Sequence, residues 1–383
     1  MWIFIVLVIT YLAFTLIAPL YIINKYNATT LPKPYTPSTQ AQTLFQSLEF
    51  VGDLHCDALL WKRDLTKESG MGHVDFPRMQ KGNVAFQAFT IVTKSPAGQN
   101  FTKNSSESFD MITALSLGQG QKINTWFSLV NRALYQCQKL QKFAKKYDNK
   151  FIIVKNKTDF INLLDRRAKD KSVIGGLLGI EGGHCLEGEI SNFNKIYAAG
   201  VRMMGPAHFF DNALGGSAHG VEREGLTAFG YEVLEKMADK NMIIDVAHSS
   251  VKVIDDILKT YKGPILSSHT GVQGTHPSPR NLSDQHLQQI ASKGGLIGIG
   301  YFRGAIGDGG IPAIVRAMTY TKNLIGVEHV TLGSDYDGSV TVPFDTTGLA
   351  LLVEEMIKQG YSDKEVRLIM GENLKSFLLA NLP

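Results

Sequence analysis

The feature that most constrains the fold of this chain is a regular alternation of short apolar runs with amphipathic helical segments. Setting aside a short peripheral run at residues 151–154, we predict eight main strands: Phe50–Asp57, Val84–Val92, Val173–Glu181, Val201–His208, Met242–His248, Pro264–His269, Leu296–Tyr301 and His329–Asp335. Apolar spacing predicts helices after them, most clearly over Gly225–Lys240, Val251–Tyr261, Asp284–Lys293, Ile311–Leu324 and Thr346–Gln359. Eight strand–helix units predict an α/β fold, a (β/α)8 barrel of the TIM type.

A doubly wound open sheet has a similar rhythm and is the alternative fold. The sequence has no Gly-x-Gly-x-x-Gly at a first strand–helix turn and no Walker-type Gly-Lys-Ser/Thr, which are the phosphate-binding signatures of such sheets. Val173–Glu181 is nearly continuous in apolar residues and glycine, as expected for a parallel strand covered on both faces. We therefore favour the barrel.

The composition excludes several classes of protein. With 383 residues, 44% hydrophobic and 19% charged, the chain can bury a large core. Its net charge of +4 and the lack of a basic stripe argue against a nucleic-acid partner. Lys139, Lys142, Lys145 and Lys146 are interpreted as one solvated helix face. The three cysteines are widely spaced, which argues against a disulfide framework or a Cys-x-x-Cys zinc site.

The N-terminus is predicted to be a membrane anchor. Met1–Ile23 carries no charged side chain and is long enough to cross a bilayer as a helix. We predict an anchor or uncleaved signal over residues 1–24, a linker over 25–44 and the barrel over 45–383. Lys25 and Lys33 follow the apolar run, which favours a cytoplasmic barrel by the positive-inside rule. Export to the periplasm or cell exterior is nevertheless expected, because a short anchor ahead of a large hydrolase is commonly exported.

A ring of potential metal ligands is predicted where the barrel strands end. The carboxyl ends of six strands supply four histidines and three acids: His55, Asp57, Glu181, His208, His248, His269 and Asp335. Active sites of such barrels form where these ends converge. A single histidine after an apolar run is usually an ordinary polar residue, but seven such groups at equivalent positions favour a metal site. Imidazole and carboxylate without thiolates favour zinc, with manganese, cobalt and iron as alternatives.

These segments resemble the membrane dipeptidases of peptidase family M19, within the amidohydrolase-like barrels. The matching pieces are Gly52–Asp57, Gly72–Pro77, Gly179–His184, Gly225–Gly230, Ile244–His248, Ser267–His269, Arg280–Asn281 and Gly333–Gly338. The resemblance implies two Zn2+ ions per chain. It assigns His55 and Asp57 to one zinc, His248 and His269 to the second, and Glu181 as the carboxylate that bridges both.

The resemblance also implies a dipeptide substrate and three substrate-handling residues. His208 matches a histidine that stabilises the oxyanion, and Arg280 matches the residue that binds the terminal carboxylate of the substrate. Asp335 matches an acid near the amino end of the dipeptide, which could hold the ammonium, transfer a proton to the leaving amine, or both. Asp337 is its rival for that role. Family members often form dimers, so a homodimer is compatible with the resemblance.

Several points stay open at the level of sequence. The segment around His208 differs from that of the mammalian enzymes, so side-chain preference does not carry over. His184, His219 and His276 are interpreted as loop residues or as supports of the ligands. An N-acyl-amino-acid deacylase using the same metals is the nearest alternative function. A non-catalytic binding barrel is a more distant one.

Overall fold

Nine parallel strands form one sheet in the computed structural model, which describes residues 2, 15, 17, 19–147 and 150–383. The strands are β1 (Val51–Asp53), β2 (Val84–Val92), β3 (Phe151–Ile153), β4 (Ile174–Glu181), β5 (Val201–Gly205), β6 (Ile243–Asp245), β7 (Ile265–Thr270), β8 (Leu296–Ile299) and β9 (Val330–Leu332). Their order is β2-β1-β9-β8-β7-β6-β5-β4, and pairing of β2 with β4 closes the ring. β3 adds to the first residues of β4 outside this ring. The predicted eight-stranded barrel is confirmed, with the run at residues 151–154 peripheral.

Helices surround the barrel and follow most of its strands. Residues 19–26 are helical. The other α-helices are Thr39–Gln46, Phe76–Lys81, Met111–Gly118, Asn124–Phe127, Leu129–Lys146, Lys157–Lys169, Ile190–Ala198, Ala228–Asp239, Val251–Thr260, Asp284–Ser292, Arg303–Ile306, Gly310–Ile325, Leu349–Lys358, Asp363–Arg367 and Asn373–Asn381.

The helix Val251–Thr260 illustrates why these segments form where they do. Ser250 begins it, because its hydroxyl accepts a hydrogen bond from the Val253 N–H at 3.1 Å and satisfies one free donor of the first turn. Val253, Ile254 and Ile257 are then buried at helical spacing. The helix therefore covers the outside of the barrel and holds the loop before it, which carries His248.

Strand alternation places the central acid of the site inside the barrel. In β4, Leu178 and Ile180 belong to the large core cluster between the sheet and the helices. Leu177 belongs to a second cluster, which includes Leu266 and residues of the C-terminal helix such as Phe377. Side chains two residues apart share a face of a strand, so Glu181 lies on the same face as Leu177. Glu181 therefore points into the barrel at its carboxyl end.

Five of the eight predicted strands are too long at their carboxyl ends, whereas Val84–Val92 and Val173–Glu181 end where predicted. β1, β6 and β9 end at Asp53, Asp245 and Leu332, so several predicted ligands stand in the turns that follow. His248 and Asp335 have φ values of 61° and 61°, a left-handed backbone that a strand cannot contain. Apolar spacing predicts one or two long helices from Glu107 to Lys146. The structure has three helices there, with Gly120 at φ 62° in the first break.

One lysine departs from its interpretation as part of a solvated face. Lys139 donates hydrogen bonds from its Nζ to the carbonyl oxygens of Leu59 and Trp61, each at 2.6 Å. Those two carbonyls belong to the turn that follows Asp57. The side chain therefore braces the loop that carries a predicted metal ligand, whereas Lys142 and Lys145 are exposed as expected.

Most of the predicted anchor at residues 1–24 lies outside the described residues. Within the described ranges, no helix combines the length and the apolar character needed to cross a membrane. The segment predicted as a linker packs on the barrel: Thr29 pairs with Val342, and the helix Thr39–Gln46 contacts the helix Leu349–Lys358. The boundaries of anchor, linker and barrel stay predictions.

Candidate active site

Glu181 is the point at which the predicted ligands meet. Its Oε1 lies 3.1 Å from His248 Nε2, 3.3 Å from His269 Nε2 and 3.5 Å from His55 Nε2. These three histidines come from three different strand ends of the barrel, and all are buried. The carboxylate of Glu181 thus faces the imidazoles of all three histidines.

The donor atoms form two groups that share this carboxylate. Asp57 Oδ1 lies 3.6 Å from His55 Nε2 on one side, and the Nε2 atoms of His248 and His269 lie 3.0 Å apart on the other. Donors about 2.1 Å from a tetrahedral ion stand roughly 3.4 Å from one another, so these spacings suit metal coordination. His55 Nε2 has no hydrogen-bond partner in the part of the chain that the structure describes. The residues therefore fit the coordination of divalent metal.

The protonation of the site also suits cations. Burial lowers the pKa of His248 and of His269 well below the ordinary value, so both rings are neutral and their nitrogen lone pairs are free to ligate. Burial opposes protonation of His55 too, yet the charges of Glu181 and Asp57 raise its pKa well above the ordinary value. The two carboxylates therefore demand a positive charge at His55 Nε2, which is what a divalent ion supplies.

Neighbouring side chains fix the orientation of the acidic ligand. Thr90 Oγ1 donates a hydrogen bond to Asp57 Oδ1 at 2.7 Å, leaving Oδ2 for other partners. The carboxylate of Asp53 accepts from the backbone N–H of His55 at 3.0 Å and from the Ser334 hydroxyl at 3.0 Å. Such partners hold metal ligands in position before the metal binds.

A cavity of about 300 Å³ opens beside these donors. Its lining includes Asp57, Glu181, His208, His248, His269 and Asp335, together with the apolar side chains of Leu60, Val92, Phe101, Ile112 and Phe302. His208 Nε2 lies 3.5 Å from Glu181 Oε2, and Asp335 Oδ1 lies 3.8 Å from His55 Nε2. Six of the eight predicted site residues therefore line this cavity, and His55 lies beside three of them, Asp57, Glu181 and Asp335.

Arg280 stands behind this cavity rather than in its wall. Its Nη2 donates a hydrogen bond to the carbonyl oxygen of His269 at 2.5 Å, and the side chain is buried. Arg280 lines an adjoining cavity, and His248 belongs to the walls of both cavities. Arg280 Nε has no partner among the described residues, so the guanidinium has donor capacity left for a ligand.

A family model for membrane dipeptidases, peptidase family M19, matches residues 38–377 of this chain. The chain belongs to this family. Its resemblance to M19, inferred from the short motifs above, is therefore confirmed. As a member, the chain is a metallo-dipeptidase, a hydrolase that acts on the peptide bond of dipeptides with metal as cofactor.

Individual proteins are also similar to this chain. An uncharacterized protein in the pqqA 5' region of Klebsiella pneumoniae is 33% identical over 223 residues, which are 54% of this chain and 82% of that protein. Among solved structures, dipeptidase AC, a metallopeptidase of family M19, has a TM-score of 0.70 at 23% identity, covering 87% of this chain and 98% of its own. A metallopeptidase from Rhodobacter sphaeroides, bound to a phosphinate mimic of L-Ala-D-Ala, has a TM-score of 0.71 at 22% identity, covering 88% of this chain and 100% of its own. At these identities the structures share the fold with this M19 dipeptidase.

Asp337, the rival of Asp335, points away from the cavity of this M19 dipeptidase. Its carboxylate pairs with Arg63 and accepts hydrogen bonds from the backbone N–H groups of His73 at 2.7 Å and Val74 at 3.3 Å. Its own N–H donates to His73 Nδ1 at 2.9 Å. Asp337 is therefore a buried anchor for the loop that presents Asp335, and His73, for which the sequence suggests no role, belongs to the same anchor.

The other histidines support loops around the site. Burial lowers the pKa of His184 and of His219 to about 3. His219 Nδ1 lies 3.0 Å from the carbonyl oxygen of Phe101, a residue of the cavity wall. The carbonyl oxygen of His276 accepts a hydrogen bond from Asn281, next to Arg280, at 2.7 Å. The positions of His219 and His276 agree with their interpretation as loop or supporting residues. His184 packs its ring against Phe210 and makes no side-chain hydrogen bond among the described residues.

Two groups of site residues are missing from the sequence-based prediction. Phe101 closes the cavity from the loop after β2 and stacks on Phe302 with ring centroids 6.4 Å apart, and nothing in its Asn-Phe-Thr context marks it. Ser268 contacts the predicted metal ligands His55 and His269, and Thr90 contacts the predicted ligand Asp57. Ser268 could have been found, because a hydroxyl next to the ligand His269 lies within reach of the imidazole.

Proposed function

We propose that this M19 dipeptidase uses two Zn2+ ions, one held by His55 and Asp57 and the other by His248 and His269, with Glu181 shared between them. The observation that carries the proposal is the convergence of three imidazole Nε2 atoms on Glu181 Oε1 within 3.5 Å. Five ligands with one shared acid leave coordination positions open for water and substrate. A pair of such ions supplies a hydroxide near neutral pH and polarises the scissile carbonyl.

The protein side chains supply the remaining steps of the proposed reaction. His208 is buried and burial lowers its pKa, so the neutral ring can donate a hydrogen bond where negative charge develops on the substrate oxygen. Burial, reinforced by the charges of Asp57 and Glu181, raises the pKa of Asp335 well above the ordinary value. A carboxyl group of that kind can hold a proton at neutral pH and deliver it to the departing amine.

The proposed substrate is a dipeptide with a free carboxylate. A cavity of about 300 Å³ suits two residues rather than a longer peptide, and its apolar wall of Leu60, Val92 and Ile112 suits an uncharged side chain. Arg280 stands behind the cavity at His269 and has an unused Nε donor, with which it would bind the terminal carboxylate of the substrate. The phosphinate mimic of L-Ala-D-Ala bound by the Rhodobacter sphaeroides enzyme supports acceptance of a D-residue at the C-terminal position.

Replacement of the shared acid tests the proposed centre. Glu181→Gln removes the charge that faces all three histidines, so we expect turnover of a small dipeptide to fall by about 10³-fold or more, equivalent to about 4 kcal/mol. Glu189 is an exposed acid in the segment that follows Glu181. Glu189→Gln therefore serves as the matched control, and we expect it to keep wild-type turnover. Equal turnover in both variants would remove Glu181 from the mechanism.

N-acylation of the substrate distinguishes the alternative function. A dipeptidase that uses Asp335 near the substrate ammonium loses activity on N-acetylated dipeptides, whereas an N-acyl-amino-acid deacylase accepts them. Hydrolysis of both classes at similar kcat/KM would favour the deacylase.

We also propose that residues 1–24 anchor the enzyme in a membrane, with the barrel exported and assembled as a homodimer. The uncharged sequence of Met1–Ile23 supports the anchor. Protease treatment of intact cells should remove a C-terminal tag if the barrel is exported and spare it otherwise. Light scattering of the detergent-solubilised full chain measures the oligomeric state, and a monomer mass would contradict the dimer.

A further inference from the structure

We infer that Ser268 is a positioning residue shared by the two metal sites, a single hydroxyl that holds both His55 and His269 with their Nε2 atoms turned toward the metals. The inference rests on the proposed dinuclear centre and adds to it the residue that links its two halves. It concerns a side chain that would not itself touch metal or substrate.

The contacts of the hydroxyl are symmetric. Ser268 Oγ lies 2.9 Å from His55 Nδ1 and 2.9 Å from His269 Nδ1. The two rings contact each other, with centroids 3.7 Å apart, and Ser268 is fully buried. In the proposed centre, these histidines belong to different ions.

Hydrogen-bond chemistry limits how this contact can be satisfied. A hydroxyl has one hydrogen and two lone pairs, so Ser268 Oγ can donate to only one of two facing nitrogens but can accept from both. The carboxylate of Asp245 accepts from the Ser268 N–H at 2.9 Å and also hydrogen-bonds the Ser268 side chain. The hydroxyl hydrogen can therefore point to Asp245, leaving both lone pairs for the Nδ1–H groups of His55 and His269.

With Nδ1 holding the hydrogen of each ring, both Nε2 atoms would be available to metal and are directed at the centre. The Nε2 atoms of His55 and His269 lie 3.5 Å and 3.3 Å from Glu181 Oε1. Hydrogen bonds to the other ring nitrogen fix which imidazole nitrogen binds metal, and loss of such a partner costs roughly 10-fold to 100-fold in metal affinity. Because Ser268 supports one ligand of each ion, its loss should weaken both metal sites together.

The test compares three variants of the full chain in detergent. Ser268→Ala removes the shared hydroxyl. Ser267→Ala is the matched control, because Ser267 is the preceding residue of β7 and its buried Oγ has no partner among the described residues. Thr90→Val removes a hydroxyl that contacts only one predicted ligand, Asp57. Zinc affinity is measured by competition with a chromophoric chelator, and the histidine Nδ1–H signals by nitrogen-15 NMR.

We expect Ser268→Ala to weaken both zinc steps roughly 10-fold to 100-fold, Thr90→Val to weaken one step, and Ser267→Ala to change neither by more than about threefold. The Nδ1 hydrogens of His55 and His269 should exchange slowly with water in the wild-type chain and in Ser267→Ala. They should exchange rapidly in Ser268→Ala. Weakening of a single step by Ser268→Ala, or affinities equal to those of Ser267→Ala, would overturn the inference.

The spectrum of the wild-type chain tests the inference without any variant. Absence of hydrogen on Nδ1 of either His55 or His269 would refute it, even if Ser268→Ala did not fold. If the wild-type chain bound no zinc, the proposed dinuclear centre would fail, whereas the two Nδ1–H signals of the metal-free protein would still decide the role of Ser268.

Discussion

Asp335 and Asp337 are separated by one residue, yet the structure predicts opposite consequences for their replacement by asparagine. Asp337 is fully buried and its carboxylate neutralises Arg63, whose side chain is 3% exposed. It also accepts from the backbone N–H groups of His73 and Val74. Asn in its place would turn an amide N–H2 toward these donors or leave one of them without an acceptor.

The cost of Asp337→Asn follows from these contacts. Removing one partner of a buried ion pair costs about 3–5 kcal/mol, because the remaining charge stays buried without compensation. Each backbone donor that loses its acceptor adds about 1–3 kcal/mol, although the asparagine oxygen can retain one of them. We therefore expect Asp337→Asn to lower the free energy of unfolding by about 4 kcal/mol or more.

Asp335→Asn should leave stability almost unchanged. Burial and the neighbouring charges of Asp57 and Glu181 raise the pKa of Asp335 and so disfavour its ionised form. A neutral amide of the same size therefore loses no attraction to Asp57 or Glu181. We expect a change below about 1 kcal/mol in unfolding but a fall of about 10²-fold to 10⁴-fold in kcat, the range for loss of a general acid. Asp335 lines the cavity, whereas Asp337 does not.

Urea unfolding followed by circular dichroism, together with dipeptide turnover, separates the two variants. Each variant is the control for the other, because the substitution and the chain position are nearly the same. If Asp337→Asn unfolded within about 1 kcal/mol of the wild type and lost turnover as Asp335→Asn does, the assignment of the anchor and of the acid would be wrong.

Three further predictions follow from particular contacts. Burial lowers the pKa of His219 to about 3. Because the unfolded histidine titrates near 6.5, stability is lost as pH falls below that value, by about 2 kcal/mol at pH 5. Urea unfolding at pH 7 and pH 5 should show a loss that is about 2 kcal/mol smaller in His219→Gln than in the wild type, because His184 still contributes to the loss in both. An equal loss in both would contradict the prediction. Deletion of residues 1–31 removes the pairing of Thr29 with Val342 and the hydrogen bond from the Ser339 N–H to Asn27, beside the cavity. Initial-rate kinetics should give a KM raised about threefold to tenfold with little change in kcat, as expected for lost uniform binding, and an unchanged KM would exclude this role. Arg280→Lys should raise KM for dipeptides but not for dipeptide amides, which lack the carboxylate; equal effects on both would place Arg280 elsewhere in the mechanism.

The barrel could be predicted from sequence because its signals are local and repeated. Runs such as Val173–Glu181 show a buried strand by composition alone, and helices such as Val251–Thr260 show their apolar face by spacing. The ring of candidate metal ligands followed from topology, since the carboxyl ends of parallel strands meet at one end of the barrel. The choice of five ligands within that ring rested on the family resemblance. Family membership, inferred from the same motifs, agrees with the family match over residues 38–377.

The contacts that sequence reasoning missed join residues far apart in the chain. Lys139 looks like any exposed lysine until the fold places it over the carbonyls of Leu59 and Trp61. The pairing of Asp337 with Arg63 and the position of Arg280 behind His269 depend equally on tertiary structure. Strand ends were misplaced because the left-handed turns at His248 and Asp335 have no glycine to mark them.

The central claim is a dinuclear zinc centre that hydrolyses dipeptides. Elemental analysis of the full chain in detergent, paired with an amine-release assay before chelation, after chelation and after return of zinc, tests it most directly. We expect about two zinc ions per chain, turnover that disappears as both are removed, and recovery when both are restored. A folded protein that hydrolyses dipeptides at the same rate without bound metal would contradict it.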